Sequence, residues 1–179
     1  MMVETTRFGN IAVNDTDLIT FPEGMLGFSK IHQYVLVERV DDSLFLWLQA
    51  VKKPSVAFPL LEPQIFEVNY KPELEEEDKK VLELSKSNLI KVFSIVTIPT
   101  DPTKMTANLK APIVINLKNR FARQVILHQA DYPIRKFIFA DLQRHCAANH
   151  RSVFPESDTP LYQAIHVTEE FESTADKNI

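Results

Sequence analysis

Short apolar runs broken by proline and turn residues recur along most of this chain. Arg7 to Val13, Leu18 to Phe21, Tyr34 to Val37, Leu44 to Val51, Val56 to Leu61, Leu89 to Ile98, Met105 to Leu109, Ile113 to Leu117 and Arg123 to Leu127 are each rich in Val, Ile, Phe or Leu. Runs of that length and composition, bounded by turn formers, are the pattern of β-strands. Helical patterns of a dozen residues rarely separate them, so they predict meandering antiparallel sheet, closed into a barrel or folded as a sandwich. Proline cannot donate to a ladder, so Pro59, Pro99 and Pro112 should sit at bulges, strand ends or edges. Several interrupted strands in one small domain favour a mainly β fold, a small irregular barrel of short antiparallel strands with one or two short helices.

Two stretches carry a different period. Pro72 to Ser85 starts with proline, concentrates Glu73, Glu75, Glu76, Glu77 and Asp78 at its beginning, and sets Glu75 before Lys79 and Glu76 before Lys80 at i,i+4. Each feature favours a helix N-terminus or its first turns. The apolar face, Leu74, Val81 and Leu84, is narrow, which predicts a surface helix capping one end of the barrel. The second helical stretch runs from about Ile134 to Asn149, with Ile134, Ile138, Leu142 and Cys146 at four-residue spacing and so one stripe facing inward. Past Ser152 the pattern fades. Leu161 to Val167 reads as a strand or a helical turn, and Ser173 to Ile179 as disordered.

Glycine narrows the chemistry. The chain has Gly9, Gly24 and Gly27 and none after them. Phosphate-cradling loops, the dinucleotide fingerprint and the nucleophile elbow all need glycine for a tight turn or close backbone approach, so none of them can be built further along. Gly24 and Gly27 around Met25-Leu26 predict a turn with positive φ at one or both ends.

Composition adds the compartment and the charge. A chain of 179 residues, 45% hydrophobic and 25% charged, is ordinary for one globular domain, able to bury roughly 70% of its unfolded surface. Cys146 is the single cysteine, which rules out an intrachain disulfide and suits a reducing compartment. Met1 to Glu4 lacks the basic start and apolar stretch of a secretion signal, and the longest apolar run, Leu44 to Leu48, falls far short of the roughly 20 residues of a membrane span. The expectation is a soluble, cytoplasmic protein. Through Phe137, 17 Lys and Arg balance 17 Asp and Glu, and from Ile138 onward 3 face 7, so the tail supplies the whole net charge of -4. A neutral body with an acidic tail argues against direct nucleic-acid binding, which demands a basic surface, and suits a basic protein partner.

Seven strings then stand in one order: Thr6-Arg-Phe-Gly9, Phe21-Pro-Glu-Gly24 with Gly27-Phe28, Phe45-Leu-Trp-Leu-Gln49, Ile95-Val-Thr-Ile-Pro99, Met105-Thr-Ala-Asn-Leu109, Ala111-Pro-Ile-Val-Ile-Asn116 and Asp131-Tyr-Pro133. In that order and spacing the chain resembles the bacterial flagellar assembly factor family FliW, over roughly Thr6 to Arg135. The resemblance implies a small irregular β-barrel domain over 1–137, followed by a C-terminal extension over 138–179 that it does not cover. It further implies a non-enzymatic partner-switching protein without cofactor or metal. Such a protein binds flagellin in the cytoplasm and binds the RNA-binding translational repressor CsrA, relieving its block on flagellin messenger RNA. A flagellin-only chaperone or adaptor is the alternative.

Candidate contact residues follow from those two partners. A basic repressor calls for acid, and Glu73, Glu75, Glu76, Glu77 and Asp78 supply it, unless they form only a solvated helix face held by pairs to lysine. Met105, Thr106, Asn108 and Leu109 form a second candidate strip, or a buried turn in which the Asn amide satisfies backbone groups. Trp47 between Leu46 and Leu48 reads as core more readily than as an interface anchor. Cys146 and His150 at i,i+4, with His145, Asp141 and His166 in the same region, are a remote metal or enzyme alternative. The extension is expected to dock over 138–150, with the remainder either shielding a partner groove or adding acidic contact area.

Overall fold

The computed structural model describes residues 1–39, 45–128, 131–148 and 165–167. Its strands in chain order are β1 Met2–Thr5, β2 Gly9–Ala12, β3 Ile19–Thr20, β4 Gln33–Arg39, β5 Leu46–Ala50, β6 Ala57–Leu61, β7 Ile90–Thr97, β8 Thr106–Ala107, β9 Ile113–Asn116, β10 Ala122–Gln124, β11 Lys136–Phe137 and β12 Ile165–Val167. Two helices join them, α1 Glu76–Val81 and α2 Phe139–Ala148. Each of the nine apolar runs overlaps one strand, although β4 extends past its run at both ends and β10 begins one residue before its run. The polar-rich β1 and the two-residue β11 carry no run of their own, and of Leu161 to Val167 the three described residues, Ile165–Val167, form the strand β12.

Strands β10-β9-β7-β6-β5-β4-β12 form one sheet in that order, antiparallel except for the last pair. β7 turns a corner. Its first half, Ile90 to Phe93, pairs with β9, while Val96 and Thr97 pair with β8, which in turn pairs with β11. Among the described residues the sheet does not close into a ladder-bonded barrel. β3 lies on the outer edge of β4, and a single parallel bridge, Thr20 to Phe121, spans the seam toward β10. Arg120 ties the same seam, donating to the carbonyls of Leu18 at 3.1 Å and Asp17 at 2.9 Å. Desolvation at that site lowers the Arg120 pKa, opposed by nearby Asp17.

Prolines stand where a missing donor costs least. Pro59 faces Trp47 of β5, and the pairing of β6 with β7 begins only at Leu60. Pro99 follows the end of β7 and Pro112 precedes β9.

Three apolar clusters fill the interior. One, between β4, β5, β7 and β9, contains Phe21, Tyr34, Leu48, Leu60, Phe93 and Ile113. A second gathers Tyr70, Leu82, Val96, Met105, Leu109 and Ile138 beneath the helices. The Tyr70 hydroxyl donates to the Leu109 carbonyl at 2.7 Å, and burial followed by Tyr132 raises its pKa. The third sits under the β1–β2 hairpin and includes Val3, Ile11, Val35 and Trp47. Trp47 is therefore core, 5% exposed, with Phe8 edge-on at 6.0 Å and the Arg7 guanidinium 4.0 Å above its ring.

Both helices are shorter than their sequence patterns. α1 starts at Glu76 because Glu75 takes extended backbone as its N-cap and donates its N–H to the Asp78 carboxylate at 2.9 Å. α2 starts at Phe139 because Lys136 and Phe137 are committed to β11. The four-residue stripe is thus cut to Ile138 and Leu142, which join the second cluster, while Ile134 and Cys146 are exposed.

Candidate functional site

A groove of about 420 Å³ opens between the Gly24–Gly27 turn, the start of α1 and the end of β10. Its lining includes Glu23, Glu75, Glu77 and Asp78, against Arg123 and His128. Carboxylates outnumber the permanent cation four to one, so the groove presents negative potential to anything that approaches it.

The turn is built from the two glycines. Both have positive φ, +71° at Gly24 and +79° at Gly27, and a Cβ on Gly24 would stand 2.6 Å from the Ser29 backbone. Only glycine allows the chain to fold so tightly on itself there. The Leu26 N–H then reaches across to Gln124 Oε1 at 3.2 Å, pinning the turn to β10. Leu26 and Ile126, 54% and 42% exposed, leave apolar surface on the groove's wall.

Arg123 organises the acid. Its guanidinium lies 3.3 Å from Glu23, 3.7 Å from Glu77 and 3.4 Å from Asp78. The Arg123 and Asp78 side chains are 20% and 10% exposed, whereas those of Glu23 and Glu77 are 53% and 73% exposed. One inner ion pair therefore carries an outer ring of solvated carboxylates that a partner can reach. The remaining acid behaves differently. Glu76 is 90% exposed and pairs with Lys79 at 2.6 Å, at i,i+3. Glu73 is exposed ahead of the helix.

The candidate strip Met105 to Leu109 is laid inward. Met105 is 6%, Thr106 9% and Leu109 1% exposed. Asn108 Oδ1 accepts from the N–H groups of Lys110 at 3.0 Å and Ala111 at 2.9 Å, so its amide closes a turn. Exposed apolar surface near this strip belongs to Phe137, paired with Thr106, and to Ile134. Glu23, Leu26, Arg123 and Ile126 were not legible as site residues. Arg123 meets its carboxylates from distant parts of the chain, and no local spacing announces such a meeting.

Among the described residues, no three His, Cys, Asp or Glu side chains are placed to hold a metal ion. Cys146 lies exposed on α2, and His150 falls outside the described residues. No described helix is long and apolar enough to cross a membrane. A solvated acidic rim with apolar flanks is suited to gripping a basic polypeptide surface.

Comparison with known proteins agrees with the mainly β fold. A family model described as FliW protein matches residues 2–138. A flagellar assembly factor FliW of Bdellovibrio bacteriovorus is 41% identical over 174 residues, covering 96% of this chain and 99% of its own. One from Ruminiclostridium cellulolyticum is 41% identical over 145 residues, covering 80% of this chain and 98% of its own. A crystal structure of the flagellar assembly factor FliW superposes with a TM-score of 0.72 at 30% identity, covering 77% of this chain and 96% of that one.

Proposed function

This chain belongs to the FliW protein family, and from that premise we propose that it is a cytoplasmic assembly factor working by partner switching. It binds flagellin, and it binds a CsrA-type RNA-binding translational repressor, holding that repressor away from flagellin messenger RNA. When flagellin accumulates it occupies the factor and the repressor is released. Nothing is transformed and no cofactor takes part.

The acid-rimmed groove is the observation that supports the reading. A repressor that grips RNA phosphates must carry a basic surface, and a ring of exposed carboxylates competes for such a surface and steers it in. Glu23, Glu75 and Glu77 are that ring, set on the inner Arg123–Asp78 pair, and Leu26 and Ile126 are its apolar flank. Glu73, ahead of α1, and Glu76, in its first turn, extend the negative field outward. Met105, Thr106, Asn108 and Leu109 support the wall beneath Phe137 and Ile134, where an amphipathic flagellin segment would find apolar surface.

A competition titration of the full chain against purified repressor and flagellin, at two ionic strengths, tests this. The repressor should bind at low salt, weaken as salt rises, and be displaced by flagellin. Glu77→Lys, at a solvated position, should weaken repressor binding about tenfold at low salt. No repressor complex at low salt leaves the flagellin-only adaptor; an unchanged affinity in Glu77→Lys removes the contact from this groove.

A further inference from the structure

The acidic groove lies where the sheet fails to close. At one end of the seam β3 and β10 meet in the parallel bridge of Thr20 to Phe121, and the Thr20 N–H donates to the Arg120 carbonyl at 3.0 Å. One further step of a parallel ladder needs the N–H of the residue two after Thr20 on the Ala122 carbonyl. That residue is Pro22, which has no N–H, so the ladder stops. The Gly24 N–H then bonds back to the Phe21 carbonyl at 3.0 Å and turns the chain away from β10. Past that point side chains bridge the seam, Gln124 Oε1 to the Leu26 N–H and Arg123 to Glu23.

The outer edge of β10 is left open there. Val125 and Leu127 direct their N–H groups to the carbonyls of Pro112 and Lys110, each at 2.9 Å. Alternation along an antiparallel pair therefore directs the N–H and C=O groups of Gln124 and Ile126 the other way, on the side of the groove that both residues line. No described residue is hydrogen-bonded to those groups. An unpaired strand edge of this kind is a template for an added strand.

The two faces beside that edge differ in chemistry. Arg123 projects toward α1, where it meets Asp78 and Glu77, with Glu75 in the same wall. Gln124 and Ile126 alternate to the opposite face, where Gln124 holds the Gly24–Gly27 turn and Leu26 and Ile126 leave apolar surface. A strand laid along β10 would have carboxylates on one face and apolar surface on the other.

We propose that the groove takes an extended segment of a basic partner as an added strand on β10. Its Lys or Arg side chains face Glu75 and Glu77 and alternate with apolar side chains facing Leu26 and Ile126. The proposal rests on the reading that a basic partner binds this groove, and it adds how: charge steers the segment in, and backbone pairing fixes its register.

Hydrogen exchange on the full chain tests this with two probes, purified repressor and a short synthetic peptide alternating lysine and valine. In the free chain the amides of Gln124 and Ile126 should be at least about tenfold less protected than those of Val125 and Leu127, and either probe should slow them at least about tenfold. Two forms of the peptide, N-methylated at its lysines or at its valines, carry the same charge, but only one keeps the N–H groups that face β10. Their affinities should differ at least about tenfold. Protected amides at Gln124 and Ile126 in the free chain, either probe binding without slowing them, or equal affinities for the two N-methylated forms would overturn strand addition. Repressor binding that is weakened in Glu77→Lys would still stand in each of those cases. A repressor that fails to bind, or binds Glu77→Lys equally well, would overturn the groove reading and this proposal with it.

Discussion

The segments 105–109 and 73–78 spend their polar side chains in opposite ways. In the first, Asn108 satisfies two backbone N–H groups of its own turn, and Met105 and Leu109 point into the core. In the second, one Asp78 oxygen caps the start of α1, the other faces Arg123, and Glu77 beside it remains 73% exposed. What a partner can use is what local structure leaves unspent. By that measure the first segment is architecture and the second is surface.

The sharpest way to break this contrast is Leu109→Ala. Leu109 is 1% exposed within the Tyr70, Leu82 and Val96 cluster, so truncation should cost about 3 to 4 kcal/mol in urea unfolding. A loss under about 1 kcal/mol, together with a binding defect in the folded protein, would return the segment to the surface.

Next in size is the turn that walls the groove. Gly24→Ala combines positive φ with a Cβ only 2.6 Å from Ser29 backbone, whereas Gly27→Ala has positive φ and nothing within 4 Å. The first should cost about 2 to 3 kcal/mol and the second about 1 kcal/mol. Equal melting shifts for the two would mean the turn relaxes freely and does not hold the groove's shape.

Much of this architecture was readable beforehand, and what was not has a common cause. Strands announced themselves wherever an apolar run was long enough to have a period, from Tyr34 through Arg123. The turn at Gly24 and Gly27 followed from what glycine alone permits. β1 escaped because Val3 and Thr5 are its only buried positions, and β11 because two residues have no period. The four-residue stripe of α2 misled because it continued through Ile134 and Cys146, which the pairing of Lys136 and the exposed last turn remove from the core. Acid at 73–78 was visible, but its division into an inner pair and an outer ring depends on Arg123 and Glu23, contributed by a distant strand and a distant turn. Closure was also beyond the sequence, since whether a sheet seals is decided by one seam, here a single bridge and the Arg120 side chain.

The finest test lies within the acidic run itself. Asp78→Asn keeps an acceptor for the Glu75 N–H but removes the charge facing a guanidinium whose side chain is only 20% exposed. Leaving that cation less compensated should cost about 1 to 2 kcal/mol and persist in high salt, because a half-buried pair is poorly screened. Glu76→Gln removes a charge from a side chain that is 90% exposed and paired with Lys79. Its effect on unfolding should stay within about 0.5 kcal/mol and vanish as salt rises. Urea melts of both variants at two salt concentrations read the difference directly. If Asp78→Asn were as silent as Glu76→Gln, the inner pair would contribute nothing to holding α1 against β10, and the groove would lose the physical basis of its fixed shape.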